Sequence, residues 1–225
     1  MRVLSGIPAA PGFAVGPVRQ LQRVAVVVVR RSITPSEVAA ERQRFEAAVA
    51  RAHGELTALR DKLARELGND EAGIIESQLL MLEDELVRDA THSRIRAQLV
   101  NAEQAFARAI GEIATQLGGI QTEALRERLT DLHDLEDRVL RAFAADDPLA
   151  DPHALPAAAG WTEPAVVAAR DLVPSETAAL DRDKVLGFIT DEGGSTSHVA
   201  ILARSLGVPA VSGLGGGATG LTDGT

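Results

Sequence analysis

The 225-residue chain contains no cysteine and no tyrosine, and only one tryptophan and five phenylalanines. Without cysteine there can be no disulfide framework, no thiolate metal site, no iron–sulfur cluster and no thiol nucleophile. The absence suits a reducing compartment such as the cytoplasm. Long apolar runs are also missing. The longest, Val24 to Val29, is six residues, against roughly 20 needed to span a bilayer. The opening MRVLSGIPAAPGF lacks the apolar core of a signal peptide. Basic charge is in deficit, with 32 acids against 23 bases and a formal net charge of −9. Together with the scarcity of aromatics, this argues against a nucleic-acid partner.

What is present is ordinary for a globular protein. Apolar residues make up 45 % and charged residues 24 %. A chain this long buries roughly 70 % of its unfolded surface and can form one or two domains. Composition divides it into three parts. In residues 1–33, RVLSG and AVGPVRQL read as short strands and VAVVVVR as a buried one, with GIPAAPG as a turn between them. From 34 to 145, Gly and Pro become rare and helical spacing takes over. Thr34-Pro35-Ser36-Glu37 is a capping box with Pro at the first helical position. A first helix should run to about Leu67, with Gly68 as its C′ residue. A second, capped by Asn69 or Asp70, carries Ile75, Leu79, Leu82 and Leu86 on one apolar stripe. A short helix follows Thr91, another opens at Asn101 and Gln104, and a last one covers Thr122 to Ala144. Four main helices on short loops read as an antiparallel bundle.

Residues 146–160 read as a Pro/Ala linker. Beyond it AVVAA, VLGFIT and VPAV read as strands, SETAALD as a short helix, and another helix begins near Thr196. This alternation is α/β grammar. The expected layout is an α/β domain made from 1–33 and 146–225, with the bundle of 34–145 inserted.

The stretch Thr190-Asp191-Glu192-Gly193-Gly194-Ser195-Thr196-Ser197-His198 carries the chemistry. A strand ends at Thr190, Gly193 and Gly194 permit positive φ, and His198 falls in the first turn of the next helix. There it sits beside backbone N–H groups that have no intrahelical partner, at the positive end of the dipole, where anions bind. Hydroxyls of Ser195, Thr196 and Ser197 add donors. A histidine so placed can offer a ring lone pair to a phosphoryl group while the N–H array holds its oxygens. The plainer alternative is a first-turn helix residue beside a Gly-rich loop.

GGSTSHVAILARSLGVPAV closely resembles the phosphohistidine signature of the phosphoenolpyruvate-utilising proteins. More narrowly, the chain resembles the N-terminal half of the enzyme I family of the bacterial phosphoenolpyruvate:sugar phosphotransferase system. SGIPAAPGFAVGP matches that family's opening, Leu80 to Glu85 its bundle segment, and Glu127-Arg128 with Asp131 and Asp134 its last bundle helix. ARDLVPSETAALDRDKVLGFITDEGG matches the approach to the histidine.

The resemblance implies an α/β phosphohistidine (swivelling) domain with an inserted antiparallel helical bundle. It implies that His198 accepts a phosphoryl group from phosphoenolpyruvate on Nε2, supported by Gly193, Gly194, Ser195, Thr196 and Ser197, and passes it to a histidine of the carrier protein HPr. The bundle would dock HPr through Asp70, Glu71, Ile74, Gln78, Leu80, Met81, Asp84, Glu85, Leu125 and Arg128. The phosphoenolpyruvate and Mg²⁺ sites of the family lie in a further C-terminal domain, so no metal or cofactor is expected in these residues. The chain reads as a monomeric, cytoplasmic fragment, cut inside its α/β domain, that exchanges phosphoryl groups with HPr only. Alternatives are an enzyme I-like part of a multiphosphoryl transfer protein, a dikinase or synthase swivelling domain, and a non-catalytic HPr-binding module.

One departure concerns Val173-Pro174-Ser175-Glu176, where the family commonly has Thr-Pro-Ser-Glu. Val173 has no hydroxyl to offer the histidine or to cap a helix. In the bundle, Gln78 stands where the family often has His, and His133 where it has Arg. His53 and His92 are expected on solvated helix faces, His133 in a surface ion pair, and His153 without a partner. Arg204, nearly two turns beyond His198, reads as structural. The acidity is not evenly spread. Glu66 to Asp89 holds eight acids and one base, Arg88, flanking the apolar Ile74, Leu80 and Met81. An acidic rim around an apolar centre suits a basic partner.

Overall fold

A computed structural model describes residues 3–21, 28, 30–117, 123–144, 161, 163–173, 176–177 and 180–224. The chain divides into two compact units. One comprises Met1–Val24, Asp61–Ile74 and Ala154–Thr225, and the other Ala25–Arg60 and Ile75–His153.

The first unit is built on a five-stranded mixed sheet. Its strands are β1 (Ile7–Ala10), β2 (Val18–Gln20), β3 (Ala165–Ala169), β4 (Val185–Thr190) and β5 (Ala210–Ser212), in the order β1-β5-β4-β3-β2. β2, β3, β4 and β5 run parallel, and β1 closes one edge antiparallel to β5. Both edges therefore come from the N-terminal segment and the centre from the C-terminal one. AVVAA and VLGFIT form β3 and β4 as their β-branched character requires. A helix over His198–Leu206 turns Val199, Ala200, Leu202 and Ala203 inward. Val199, Ala200 and Ala203 join Val167, Phe188 and Ala210 of the sheet in one buried cluster.

Two strand expectations are corrected. The described part of RVLSG, Val3 to Gly6, is not a strand, and the segment GIPAAPG expected as a turn supplies β1. Pro8 is tolerated there because β1 is an edge strand, where a missing N–H costs no ladder bond. VPAV becomes a strand only from Ala210. The VAVVVVR strand, apart from Val28 and Arg30, and the linker 146–160 lie outside the described residues. Of the helix expected over SETAALD, Glu176 and Thr177 are helical, while its other residues lie largely outside the described ones.

The helical segment holds α1 (Val38–Glu66), α2 (Asn69–Glu83), α3 (Glu85–Gln98), α4 (Ala102–Leu117) and α5 (Glu123–Ala144), and the helix over His198–Leu206 is α6. The capping box forms: the Glu37 carboxylate accepts from the Thr34 N–H at 2.8 Å and from the Thr34 hydroxyl at 2.8 Å, and a short 3-10 turn leads into α1. Gly68 follows α1 with φ +122°, and its N–H bonds Leu63 O at 3.2 Å.

Contacts in the helical unit run in opposite chain directions. Glu46 bonds His92 at 2.6 Å and His53 bonds Glu83 at 3.0 Å. Arg94 pairs with Glu112 and Gln98 with Arg108. Phe45, Leu56, Ile95, Phe106, Ile110 and Leu135 fill the interior.

Three helical expectations change. The acidic stretch breaks at Asp84, whose extended backbone and side-chain bond to Leu86 N at 2.9 Å start α3 at Glu85, well before Thr91. The break rotates Leu86 out of the stripe: Ile75, Leu79 and Leu82 are buried, but Leu86 is 75 % exposed. His92 is not solvated, because its ring meets Phe45 edge-on at 5.4 Å and bonds both Arg42 and Glu46. Asp61–Ile74 groups with the sheet rather than with the helices. There Leu63 and Leu67 line a cavity of about 580 Å³ with Phe188, Leu202 and Leu206.

Candidate phosphohistidine site

The site begins where β4 ends. Thr190 is fully buried; its hydroxyl donates to Glu192 O at 2.7 Å and lies in hydrogen-bond contact with Ser212 Oγ at 3.0 Å. This ties the end of β4 to the end of β5. Asp191 follows, and its carboxylate gathers a glycine-rich loop. Oδ1 accepts from the N–H groups of Gly216 and Ala218 at 2.8 and 2.7 Å. Oδ2 accepts from the N–H and hydroxyl of Thr219 at 3.0 and 2.6 Å. Burial pushes the Asp191 carboxyl up, but the Thr219 hydroxyl and the Thr219, Ala218 and Gly216 amides together hold it below its ordinary value.

The chain then turns. Gly193 has φ +91°, and a Cβ there would meet Ser197 Oγ at 3.2 Å. Only Gly193 of the glycine pair uses positive φ. Ser197 is the N-cap of α6: its hydroxyl donates to Gly194 O at 2.9 Å and accepts from Ala200 N at 3.4 Å. It is 7 % exposed, so its oxygen is committed to the turn instead of being the ligand donor that the sequence suggested. Ser195 and Thr196 are exposed, and His198 is the half-buried first residue of α6. The first N–H groups of α6 and its positive dipole end therefore lie at His198, beside two exposed hydroxyl residues. That arrangement can hold a tetrahedral anion against an imidazole.

Arg204 makes structural contacts, as read from the sequence, and they reach back to the loop. Helix side chains lean toward the N-terminus, and a span of six residues is only about 9 Å of rise. Its Nη1 donates to Ser195 O at 2.9 Å and to Ala9 O at 2.8 Å. The sequence signal for this contact was the Arg itself, and for Asp191 a carboxylate directly after a strand. Neither was read as part of the site, because nearly all their partners are backbone groups distant in sequence.

Val173 is fully buried, and the Glu176 carboxylate reaches back to Val173 N at 3.2 Å. Half of a capping box thus survives without the hydroxyl. Pro174 and Ser175 lie outside the described residues.

The residues expected to meet a partner are not equivalent. Asp70, Leu80, Asp84, Glu85 and Arg128 are exposed, and Glu71, Ile74 and Met81 are half-buried. Leu80 is 64 % exposed, which is unusual for a leucine on a helix with a buried stripe. Glu71 accepts the Ser205 hydroxyl. Asp84 is partly engaged as the α3 cap. Gln78 is corrected: at 1 % exposure it lies in the core and donates Nε2 to Asp134 Oδ2 at 3.0 Å, so a partner cannot touch it as it stands. The Leu125 side chain lies outside the described residues. His133 is exposed, and His53 is half-exposed against Glu83 rather than solvated. His153 lies outside the described residues. Among the described residues no three His, Asp or Glu side chains converge as metal ligands, and no helix is long and apolar enough to cross a membrane.

Fold and site together define an α/β protein that presents a histidine at a strand–loop–helix junction. Comparison with known proteins gives the family. The model for the N-terminal part of PEP-utilising enzymes matches residues 5–128, and that for their mobile domain matches residues 161–225. The chain belongs to the PEP-utilising enzyme family. It is 36 % identical to the phosphoenolpyruvate-protein phosphotransferase of Bacillus subtilis over 95 % of its own length. It is also 36 % identical to that of Haemophilus influenzae over 94 %. It spans 36 % of the length of each of these relatives. A solution structure of Enzyme I is similar with a TM-score of 0.70 at 33 % identity, covering 99 % of this chain and 87 % of that one. The N-terminal domain of a nitrogen-type Enzyme I is similar with a TM-score of 0.59 at 25 % identity, covering 94 % and 83 %.

Proposed function

We propose that the chain is the phosphoryl-carrying part of a phosphoenolpyruvate-protein phosphotransferase, with His198 as the covalent acceptor. The observation that carries this is His198 at the first position of α6, just after exposed Ser195 and Thr196, inside the stretch matched by the mobile-domain model. His198 Nε2 attacks phosphorus as the bond to the departing oxygen breaks. With phosphoenolpyruvate, enolpyruvate leaves and the phosphoryl group stays on nitrogen. In the second step a histidine of HPr attacks, the His198 N–P bond breaks, and the His198 lone pair is restored.

Gly193, through the turn it permits, and Gly194, whose carbonyl holds the Ser197 hydroxyl, shape the loop around the phosphoryl oxygens. Ser195 and Thr196 face them, and Ser197 acts through the cap.

HPr docks on the helical segment. Exposed Leu80 with half-buried Ile74 and Met81 supplies the apolar centre, and Asp70, Glu71, Asp84 and Glu85 the acidic rim, with Arg128 and Leu125 on α5. Phosphoenolpyruvate binding, with its Mg²⁺, belongs to a part of the longer protein outside these residues. In this reading the protein works in the cytoplasm, and these residues act as a monomer.

Histidine-phosphorylated HPr tests the reading. Incubation with the chain should yield an acid-labile, base-stable phosphate on the protein that His198→Ala abolishes. No transfer to the parent protein would sink the reading in favour of a non-catalytic binding module.

A further inference from the structure

The loop that carries His198 is held by a residue the family assignment leaves without a role. β1 and β5 pair with a register shift between Pro8 and Ala10, which leaves Ala9 at a bulge. A bulge takes its residue out of the ladder and is often found beside a functional site. Ala9 is 3 % exposed, so its carbonyl needs a partner inside the protein. Arg204 supplies it at 2.8 Å, and the same nitrogen bonds Ser195 O at 2.9 Å. One guanidinium nitrogen therefore joins the bulge of β1 to the residue just ahead of the exposed hydroxyls.

Three further restraints act on the same turn: the Gly193 positive φ, the Ser197 bond to Gly194 O, and the Ser197 cap on Ala200 N. These fix the start of α6 and the middle of the loop. The orientation of the Ser195 peptide, and with it the Thr196 N–H, depends on the Arg204 contact. The side chain is exposed, so its charge also adds to the positive end of α6.

We propose that Arg204 is a positioning residue for phosphorylation of His198, clamping the Ser195 peptide to the β1 bulge so that the anion site is preformed. The proposal rests on the His198 reading. Because a single nitrogen makes both bonds, a lysine ammonium can replace it, whereas a neutral side chain of similar length cannot.

The experiment uses the whole chain with phosphoramidate as a small phosphoryl donor. Its P–N bond breaks, ammonia leaves, and the phosphoryl group moves to His198. Rates of phosphohistidine formation are compared for the parent, Arg204→Lys and Arg204→Met, well below the melting temperature of each. Arg204→Met should be at least tenfold slower, and Arg204→Lys should stay within about threefold of the parent. In ¹H–¹⁵N spectra of Arg204→Met, the Ser195 and Thr196 amides should shift while those of β3 and β4 keep their positions. A merely structural role would slow both variants in proportion to their loss of stability. Equal rates in parent and Arg204→Met, or an Arg204→Lys rate as low as that of Arg204→Met, would overturn the proposal. A parent that phosphoramidate does not phosphorylate on His198 would overturn the reading beneath it.

Discussion

Removing the Asp191 carboxylate tests how firmly the end of β4 is anchored. It accepts four hydrogen bonds, from three backbone N–H groups and one hydroxyl. In Asp191→Ala all four donors lose their partner at once. Gly216 and Thr219 are exposed, so water replaces most of what they lose. Ala218 is fully buried, and its N–H is stranded. A hydrogen bond to an ionised group contributes about 1.5–3 kcal/mol, and a stranded buried donor costs about 1–3 kcal/mol. The substitution should therefore cost about 3 kcal/mol, or roughly 6–12 °C in melting temperature for a chain of this size.

The effect has a pH signature. Because the folded carboxyl lies below its ordinary value, its stabilisation is fully present above about pH 4 and is lost as pH falls through the folded value. The gap between parent and Asp191→Asn, measured by urea denaturation, should be widest at neutral pH and close in acid. A gap below about 0.5 kcal/mol at pH 7, or one that does not narrow in acid, would refute this account of the loop.

Other outcomes follow from the same structure. Gly193→Ala forces a non-glycine residue to φ +91° and brings its Cβ to 3.2 Å from the capping hydroxyl, so it should lose about 1–3 kcal/mol and slow His198 phosphorylation. A parental rate would show that the turn does not set the site. Glu85→Lys should weaken HPr binding and flatten its salt dependence; calorimetry showing the same affinity at low and high salt would count against the acidic rim. Glu136, pushed up to about 7 chiefly by burial and then by Asp137, destabilises the fold when it ionises. That raised value means the parent loses stability as pH rises from about 4.5 through 7. Glu136→Gln should therefore be more stable than the parent at pH 8 and not at pH 4, which thermal melts at the two pH values would check.

How much of this was legible in the sequence depends on the range of each interaction. AVVAA and VLGFIT fold as read because β-branched runs bounded by turn residues carry their own signal. The Thr34 box is likewise local, with its partner within three residues, whereas the Ser197 hydroxyl, read as a ligand donor, is taken up by the equally local cap. β1 was missed because the Pro and Gly of its segment signal a turn, and only its place at the sheet edge makes Pro8 acceptable. The α2–α3 break was missed because the apolar stripe runs through it, while Asp84 has a caps-or-surface ambiguity that periodicity does not settle. Gln78 looked like a surface residue beside a docking segment. Its burial depends on Asp134, 56 residues away. His198 was legible because strand, glycine turn and helix start are contiguous, but the Ala9 end of its support lies 195 residues from Arg204.

The sheet order also dictates a schedule. Gln20 N bonds Asp223 Oδ1 at 2.7 Å across 203 residues, and β1 and β2 pair only with strands from the far end of the chain. At about 5–20 residues per second on the ribosome, the first strands emerge many seconds before anything can cover them. The helices between them need no such wait, since their contacts are nearer in sequence. Biogenesis thus runs inside out: the middle of the chain can consolidate first, while its opening segment stays extended and vulnerable to strand-edge aggregation. Protease protection of stalled nascent chains should appear in the helical part before it appears at Val18.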